Sequence, residues 1–271
     1  MIPKICLSNG VTVPQLSIGT YKVEDLESVI RAGFGAGIDA VDAAEHYHNE
    51  AEVGNALQTI NRPRGEYYLS TKIWNLDQGY QRTLEAFDES VERLHTNPDM
   101  LLIHWPCPMK GLYMETWQAF QKLYADKRVR AVGVSNFTVK HLEKLKTLGG
   151  VQPMVNQIEM HPYFIDDEML AYAKENGIII EAWSPLLRGK QIITDPTIEA
   201  MAAKYNVSPA QLAIRYLTQY GVRVIVKSNN PTHLAENADI FSFEIEDEDF
   251  ETLKKLNRRT RVFQDPDEYY I

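Results

Sequence analysis

Eight short apolar segments, rich in β-branched residues, recur along the chain of 271 residues. In order they read QLSIGT, IDAVDAA, YYLSTKIW, MLLIHW, VRAVGVSN, MVNQIEM, IIIEAWS and VRVIVKS. The stretches between them space apolar residues as amphipathic helices do; examples are EDLESVIRAGFGAG, NEAEVGNALQTI, YQRTLEAFDESVERL, YMETWQAFQKLYADK and TVKHLEKLKTLGG. Strands that alternate with helices predict βαβ units and a parallel sheet. Eight such units in this length predict a (β/α)8 barrel, for which ~250 residues is typical.

One domain over residues 1–271 is expected, because no Pro-, Gly- or Ser-rich linker divides the chain. The opening segment KICLSNGVTVPQ predicts a β-hairpin that turns at Asn9-Gly10, ahead of the first barrel strand. A doubly wound nucleotide-binding fold would place a glycine fingerprint between the first strand and helix. The GFGAG segment, Gly33 to Gly37, does not fit, because it follows a helix and leads into a strand. We interpret it as a helix exit, where glycine readily adopts a positive φ.

Charge and cysteine content limit the partners and the compartment. The formal net charge is −9 and the pI is about 5.3, which disfavours nucleic acid, since its binders carry a basic stripe. The two cysteines, Cys6 and Cys107, are too few for a disulfide framework and indicate a reducing compartment. No apolar run approaches the ~18 residues of a membrane span, and the first residues lack the apolar core of a signal peptide. We therefore expect a cytoplasmic protein without a membrane partner.

Polar residues gather where the predicted strands end, which is where a (β/α)8 barrel carries its active site. The second, third and fourth strands lead into Asp42, Tyr47, Lys72 and His104. Each residue taken singly has an ordinary structural explanation, such as a loop cap, an exposed lysine or a hydrogen-bonded histidine. Polar or small residues at the other strand ends are Gly19, Thr20, Tyr21, Ser135, Asn136, Gln157, Trp183, Ser184, Lys227 and Ser228.

Taken together, the four residues fit one mechanism of proton transfer. A tyrosine has an unperturbed pKa near ~10, too high for efficient proton exchange at neutral pH. We expect the ammonium of Lys72 to lower the pKa of Tyr47, and the carboxylate of Asp42 to hold that ammonium in place. His104 beside the phenol would hydrogen-bond a substrate carbonyl and orient it. Tyr47 is therefore the predicted proton donor.

A metal site is the competing interpretation of the same region. His46 and His48 form an H-x-H pair, and His104 and His161 follow on later strands, as in metal-dependent hydrolases on this fold. That hydrolase pair, however, ends the first strand, where alternate residues point inward together. Here the pair follows the second strand on a polar loop. We therefore expect no metal.

Six segments resemble those of the aldo-keto reductase family, in order and at consistent spacing between Gly19 and Asn237. VDAAEHYHNE resembles its Asp-Tyr-Asn-Glu stretch, STKIWN its Thr-Lys-x-Trp-Asn segment, and LLIHWP its Ile-His-Trp-Pro segment. RAVGVSNF, NQIEMHPY and KSNNPTHLAEN are similar to its Gly-Val-Ser-Asn-Phe, Asn-Gln-x-Glu-x-His-Pro and phosphate motifs. The resemblance implies a monomeric (β/α)8 barrel that reduces aldehydes and ketones with NADPH. The alternative left open is a nucleotide-binding regulatory barrel with little turnover.

The resemblance also implies a role for each matching residue. Tyr47 matches the general acid, Lys72 and Asp42 its supporting pair, and His104 the histidine that orients the carbonyl. The residues implied in cofactor binding are Gly19, Thr20, Tyr21, Asp42, Ser135, Asn136, Gln157, Trp183, Ser184, Pro185, Leu186, Lys227, Ser228, His233, Glu236 and Asn237. Those implied in substrate binding are Tyr21, Tyr47, Trp74, His104 and Trp105.

Three departures from the family pattern bear on specificity. His233 stands where the phosphate motif has arginine, and Val226 stands where proline is common. The predicted cofactor is therefore NADP(H), with NAD(H) also accepted. The tail, DPDEYYI, is short, and in the family the tail helps to shape the substrate pocket. The substrate is thus expected to be a small carbonyl compound, with its identity left open.

Overall fold

The computed structural model describes residues 1–189, 191–259 and 261–269. In chain order the strands are β1 (Lys4–Cys6), β2 (Thr12–Pro14), β3 (Leu16–Gly19), β4 (Ala40–Asp42), β5 (Tyr68–Ile73), β6 (Met100–Ile103), β7 (Ala131–Ser135), β8 (Val155–Glu159), β9 (Ile179–Trp183) and β10 (Arg223–Val226). Eight of them close a parallel barrel in the order β10-β3-β4-β5-β6-β7-β8-β9. The predicted barrel is confirmed.

Helices separate successive barrel strands, as the sequence pattern predicts, and two more follow the last strand. They are α1 (Leu26–Gly35), α2 (Glu50–Ile60), α3 (Tyr80–Leu94), α4 (Tyr113–Ala125), α5 (Val139–Lys146), α6 (Asp167–Glu175), α7 (Pro196–Tyr205), α8 (Pro209–Gln219), α9 (Pro231–Ala238) and α10 (Asp247–Lys254). Two of them, α7 and α8, separate β9 from β10. Among the described residues, no helix is both long and apolar enough to cross a membrane.

The predicted N-terminal hairpin pairs β1 with β2 in antiparallel register. Gly10 in its turn has φ +85°, in the left-handed region that favours glycine. Gln15, directly after β2, donates its side-chain amide to the carbonyls of Thr218 and Val222. These bonds tie the hairpin to the amino-terminal end of β10.

The barrel strands are apolar on both sides because the helices cover them outside and side chains fill them inside. Every residue of β3, β4, β5, β6, β7 and β10 is buried. Some of the buried side chains on the barrel strands are polar or charged, and they include Asp42, Lys72, Arg223 and, on β9, Glu181. Buried polar groups require hydrogen-bond partners. The interior of the barrel is therefore where functional constraints are expected.

The GFGAG segment ends α1 as predicted, and its glycines serve different purposes. Gly37 has φ +85° beyond the end of the helix. Gly33 lies within α1 and faces β3, where a β-carbon would come within 2.3 Å of the Ile18 side chain. Gly35, two residues later, has open space around it.

Alanine substitutions at these two glycines should have opposite effects. Both replace glycine in α1, which favours the helix by up to ~1 kcal/mol. Gly33→Ala also overpacks the contact with Ile18, at a cost of about 1–3 kcal/mol. We expect Gly33→Ala to lower the melting temperature and the control Gly35→Ala to leave it unchanged or raise it, as measured by thermal unfolding. Equal melting temperatures would contradict this account of the helix–strand contact.

Candidate active site

A cavity of about 930 Å³ opens at the carboxyl ends of the barrel strands. All the predicted catalytic and substrate-binding residues except Lys72 line it: Tyr21, Asp42, Tyr47, Trp74, His104 and Trp105. Lys72 is fully buried and donates to Tyr47 Oη. The predicted cofactor-binding residues also line it, with the exception of Thr20. The Thr20 side chain is fully buried and donates to the Asp42 backbone carbonyl at 2.9 Å. Thr20 thus supports the end of β4, and its place at the cofactor site stays a prediction.

The ammonium of Lys72 is the centre of the site. It donates to Asp42 Oδ2 at 2.6 Å, to the Ala43 carbonyl at 2.8 Å and to Tyr47 Oη at 3.4 Å. Asp42 ends β4, Lys72 lies near the end of β5, and Tyr47 closes a short 3₁₀-helix, Glu45–Tyr47, after β4. The adjacent strands thus bring together residues that lie up to thirty positions apart.

The electrostatic balance at Tyr47 differs from the sequence-based expectation. Burial raises the pKa of Tyr47 above its ordinary value of 10. Lys72 lowers the pKa as expected, but its effect is outweighed by burial, with a further increase from Asp42. Burial lowers the pKa of Lys72, but Asp42 and Tyr47 together raise it by more. The pKa of Lys72 is therefore above its ordinary value. At neutral pH the phenol therefore holds its proton beside a charged ammonium.

His104 is a neutral imidazole next to Tyr47. Burial, Lys72 and His46 hold its pKa well below the usual 6.5. Its ring lies 5.8 Å from the Tyr47 ring and 5.0 Å from the Trp74 ring, centroid to centroid. A neutral imidazole has one N–H donor and one acceptor nitrogen. His104 can thus donate one hydrogen bond to a carbonyl oxygen placed against Tyr47.

A second group of polar side chains borders the catalytic residues and suits the amide of a nicotinamide. Trp183 Nε1 donates to Asn136 Oδ1 at 3.0 Å, which fixes the indole on the cavity wall. Asn136 Nδ2 donates to the His104 carbonyl and to Ser135 Oγ. Gln157 completes the group on β8. The indole face and the amide oxygens fit a flat ring that carries a carboxamide.

The other end of the cavity suits a phosphate-bearing adenosine. Ser184, Pro185 and Leu186 line the passage towards Lys227, Ser228, His233, Glu236 and Asn237. Lys227 and His233 are exposed on the wall of the cleft. An ammonium, a hydroxyl and an imidazole can all donate to a phosphate. The residues present therefore fit a nicotinamide dinucleotide that carries a 2′-phosphate.

The lining residues that the sequence-based reasoning did not single out include Arg188, Phe263 and Tyr269. Arg188, with φ +61° in the short 3₁₀-helix Leu187–Gly189, lies over the Phe263 ring at 5.4 Å. Phe263 packs edge-on against Trp183, and Tyr269 lies 4.4 Å from the Trp105 ring. In the sequence, the expected role of the tail in shaping the substrate pocket pointed to Tyr269 only. Tyr270 and Ile271 of the tail lie outside the described residues.

The H-x-H pair does not assemble a metal site. His46 stacks flat on Trp74 with ring centroids 3.5 Å apart. His161 is buried elsewhere and bonds to Glu159 Oε1 at 3.0 Å. Across the described ranges, no group of three or more His, Cys, Asp or Glu side chains is arranged to hold a metal ion. His46 instead forms part of the aromatic wall of the cavity.

Comparisons with known proteins identify the family of the chain. The Aldo/keto reductase family matches residues 11–258. Glyoxal reductase of Bacillus subtilis is 42% identical over 97% of this chain and 95% of its own. Morphine 6-dehydrogenase of Pseudomonas putida is 37% identical over 97% and 94%. The crystal structure of a Gox0644 mutant in complex with NADPH has a TM-score of 0.94 at 37% identity, and covers 99% of both chains.

Fold and site together define an oxidoreductase built on a (β/α)8 barrel. The chain belongs to the aldo-keto reductase family. The predicted class of activity, reduction of aldehydes and ketones with NADPH, is confirmed at the level of this family. Neither a regulatory barrel nor a metal-dependent hydrolase is favoured.

One carboxylate at the rim should make stability depend on pH. Burial and the nearby carboxylates of Asp77 and Glu50 raise the pKa of Glu45 to about 7, although a hydrogen bond from Trp74 N opposes this. Because this pKa exceeds the unfolded value, the folded chain binds the proton more tightly. The stabilisation is fully present below about pH 4.5 and is lost as pH rises through about 7.

Glu45→Gln should remove this pH dependence while it keeps an acceptor for Trp74 N. We expect the melting temperature of the wild type to fall relative to that of the variant between about pH 5 and pH 8, as measured by thermal unfolding. The matched control is Glu52→Gln, which removes an exposed carboxylate of the following helix. Parallel curves for wild type and Glu45→Gln would contradict the assignment.

Proposed function

We propose that Tyr47 is the general acid of the carbonyl reduction, with Lys72, Asp42 and His104 in the roles that the family resemblance implies. The observation that carries this proposal is the fully buried ammonium of Lys72, in contact with both Asp42 Oδ2 and Tyr47 Oη. A buried charge of this kind requires compensating partners. Of the two side chains that contact this ammonium, the Tyr47 phenol is the one that carries a proton to transfer at the cavity surface.

The proposed reaction uses these groups in sequence. His104 donates a hydrogen bond to the substrate carbonyl oxygen and orients it towards Tyr47. When bound, NADPH supplies the hydride that adds to the carbonyl carbon. Tyr47 gives its proton to the oxygen as negative charge develops there. Lys72 then stabilises the phenolate, and Asp42 keeps the ammonium in place.

We further propose that Ser135, Asn136, Gln157 and Trp183 hold the nicotinamide, and that Lys227, Ser228, His233, Glu236 and Asn237 hold the adenosine end. The path between these ends would be lined by Gly19, Tyr21, Asp42 and the segment from Ser184 to Leu186. Their shared position on one continuous cavity supports the assignment. Substrate would enter against Tyr21, Trp74 and Trp105, whose aromatic faces suit small apolar carbonyl compounds.

We propose that the chain works as a single-domain monomer in the cytoplasm. In support, the described residues of one chain that line the cavity already include Tyr47, His104 and the residues proposed to hold the cofactor. The acidic charge disfavours nucleic acid as a partner, and both cysteines are free thiols. Light scattering of the purified protein tests the oligomeric state.

Tyr47→Phe should lower kcat by about 10²–10⁴-fold, because it removes the proton and leaves the ring in place. NADPH oxidation would be followed by absorbance with a panel of carbonyls that includes glyoxal and aromatic aldehydes. NADPH affinity, measured by fluorescence, should stay close to that of the wild type. Combination with Lys72→Met should cost little more than the worse single change, because the two groups act as a unit. Wild-type turnover in Tyr47→Phe would refute the proposal.

His233→Arg should increase the preference for NADPH over NADH. Arginine is always charged and can bind a phosphate with two parallel hydrogen bonds, whereas histidine offers fewer donors. We expect the ratio of kcat/KM for the two cofactors to rise roughly fivefold, as for an exposed charge pair worth about 1 kcal/mol. Lys227→Met serves as the opposite control and should lower the ratio. An unchanged ratio in His233→Arg would show that position 233 does not contact the phosphate.

A further inference from the structure

A second ion pair is buried inside the barrel, beneath the cavity. Gln157, Glu181 and Arg223 are direct register neighbours on β8, β9 and β10. Glu181 Oε1 contacts Arg223 Nη1, and both side chains are almost fully buried. Glu181 Oε2 accepts a hydrogen bond from Gln157 Nε2 at 2.8 Å. The pair thus reaches the cavity through Gln157, which lines it.

The amide nitrogen of Gln157 bridges this pair to the catalytic residues. It donates to Asp42 Oδ1 at 3.1 Å as well as to Glu181 Oε2. A primary amide has two N–H donors, so these two carboxylates use both. What Gln157 offers to a ligand in the cavity is therefore its carbonyl oxygen, an acceptor.

Glu181 and Asp42 together fix this orientation. An ionised carboxylate can only accept hydrogen bonds, so Gln157 must turn its NH₂ group towards both of them. A neutral amide at position 181 could turn a donor towards Gln157 in place of an acceptor, so that Asp42 alone would hold the NH₂ group. The Gln157 carbonyl oxygen would then be less firmly directed at the cavity.

Arg223 makes a charged Glu181 tolerable in the barrel interior. A buried carboxylate is costly unless it is paired and hydrogen-bonded. Burial lowers the pKa of Arg223 to about 10, so the guanidinium stays charged at neutral pH. Its Nε donates to the Pro14 carbonyl at 2.7 Å, at the end of the N-terminal hairpin. The orientation of Gln157 is thus anchored to the opposite end of the barrel.

We propose that Glu181, held by Arg223, is a positioning residue that presents the Gln157 carbonyl oxygen to the carboxamide NH₂ of the nicotinamide. This inference rests on the proposed function, specifically on the contact between Gln157 and the nicotinamide. Neither Glu181 nor Arg223 lines the cavity. The hydrogen bond from Gln157 to Glu181 is therefore what connects the pair to the proposed nicotinamide site.

The test compares two ligands that differ at the nicotinamide. Dissociation constants of NADPH and of 2′-phospho-ADP-ribose, which has no nicotinamide, would be measured by calorimetry on the full chain. In Glu181→Gln we expect NADPH to bind about tenfold more weakly, as for the loss of one well-placed hydrogen bond. The fragment should bind as in the wild type. The control Lys227→Met should weaken both ligands equally.

Equal weakening of both ligands by Glu181→Gln, or no weakening of either, would overturn the proposal. Since one unpaired buried charge can destabilise the fold, Glu181→Leu combined with Arg223→Leu removes the whole ion pair. This double variant should show the same selective loss of NADPH affinity. Wild-type affinity for NADPH in the double variant would likewise overturn the proposal.

Gln157→Ala separates failure of this inference from failure of the proposed function. A selective loss of NADPH affinity in Gln157→Ala, with none in the Glu181 variants, would refute the positioning role alone. No selective loss in Gln157→Ala would refute the assignment of Gln157 to the nicotinamide, and the positioning role with it. Selective losses in all three variants would support both.

Discussion

The burial of one ammonium group sets the arrangement of the whole site. Lys72 is completely buried, and the three donors of its ammonium are met by Asp42 Oδ2, the Ala43 carbonyl and Tyr47 Oη. Loss of any partner would leave part of a buried charge unsatisfied, which is strongly destabilising. The barrel meets this requirement because β4 and β5 are adjacent and parallel, so that their carboxyl ends lie together. Burial together with the same charge keeps His104 neutral, and the charge favours the phenolate of Tyr47 during proton transfer.

Hydrogen bonds join the catalytic group to the residues proposed to hold the nicotinamide. Asp42 Oδ1 accepts from Gln157, while Asn136 links the His104 carbonyl to the Trp183 indole. The ring that delivers the hydride and the group that delivers the proton would therefore be placed by one connected network. Such placement lowers the entropic part of the barrier, because the reacting groups are held near their final geometry. Buried networks of this kind are rigid when every member is satisfied.

Sequence reasoning predicts the barrel and its rim well, because apolar strands alternate with helices and the chemistry of this fold lies at strand ends. It does not predict that the Thr20 side chain donates to the Asp42 carbonyl, because that contact depends on how β3 and β4 are paired. It also misses Glu181 and Arg223, which lie within segments that read as ordinary buried strands. Their pairing depends on the stagger between β9 and β10, a property of barrel closure that no local pattern contains. The sequence does not predict the direction in which the pKa of Tyr47 shifts either, because that direction depends on burial.

The substrate end of the cavity is built differently from the cofactor end. Its outer wall includes Tyr269 from the C-terminal tail, next to Trp105. The tail is attached by a few contacts: Glu159 accepts from the Val262 amide at 2.7 Å, and His141 Nε2 lies 3.3 Å from Asp267 Oδ1. These contacts are made by the segment that follows α10, whereas the residues proposed to hold the nicotinamide lie on or directly after β7, β8 and β9. Substrate selectivity can therefore vary through the tail while the geometry of proton and hydride transfer is maintained.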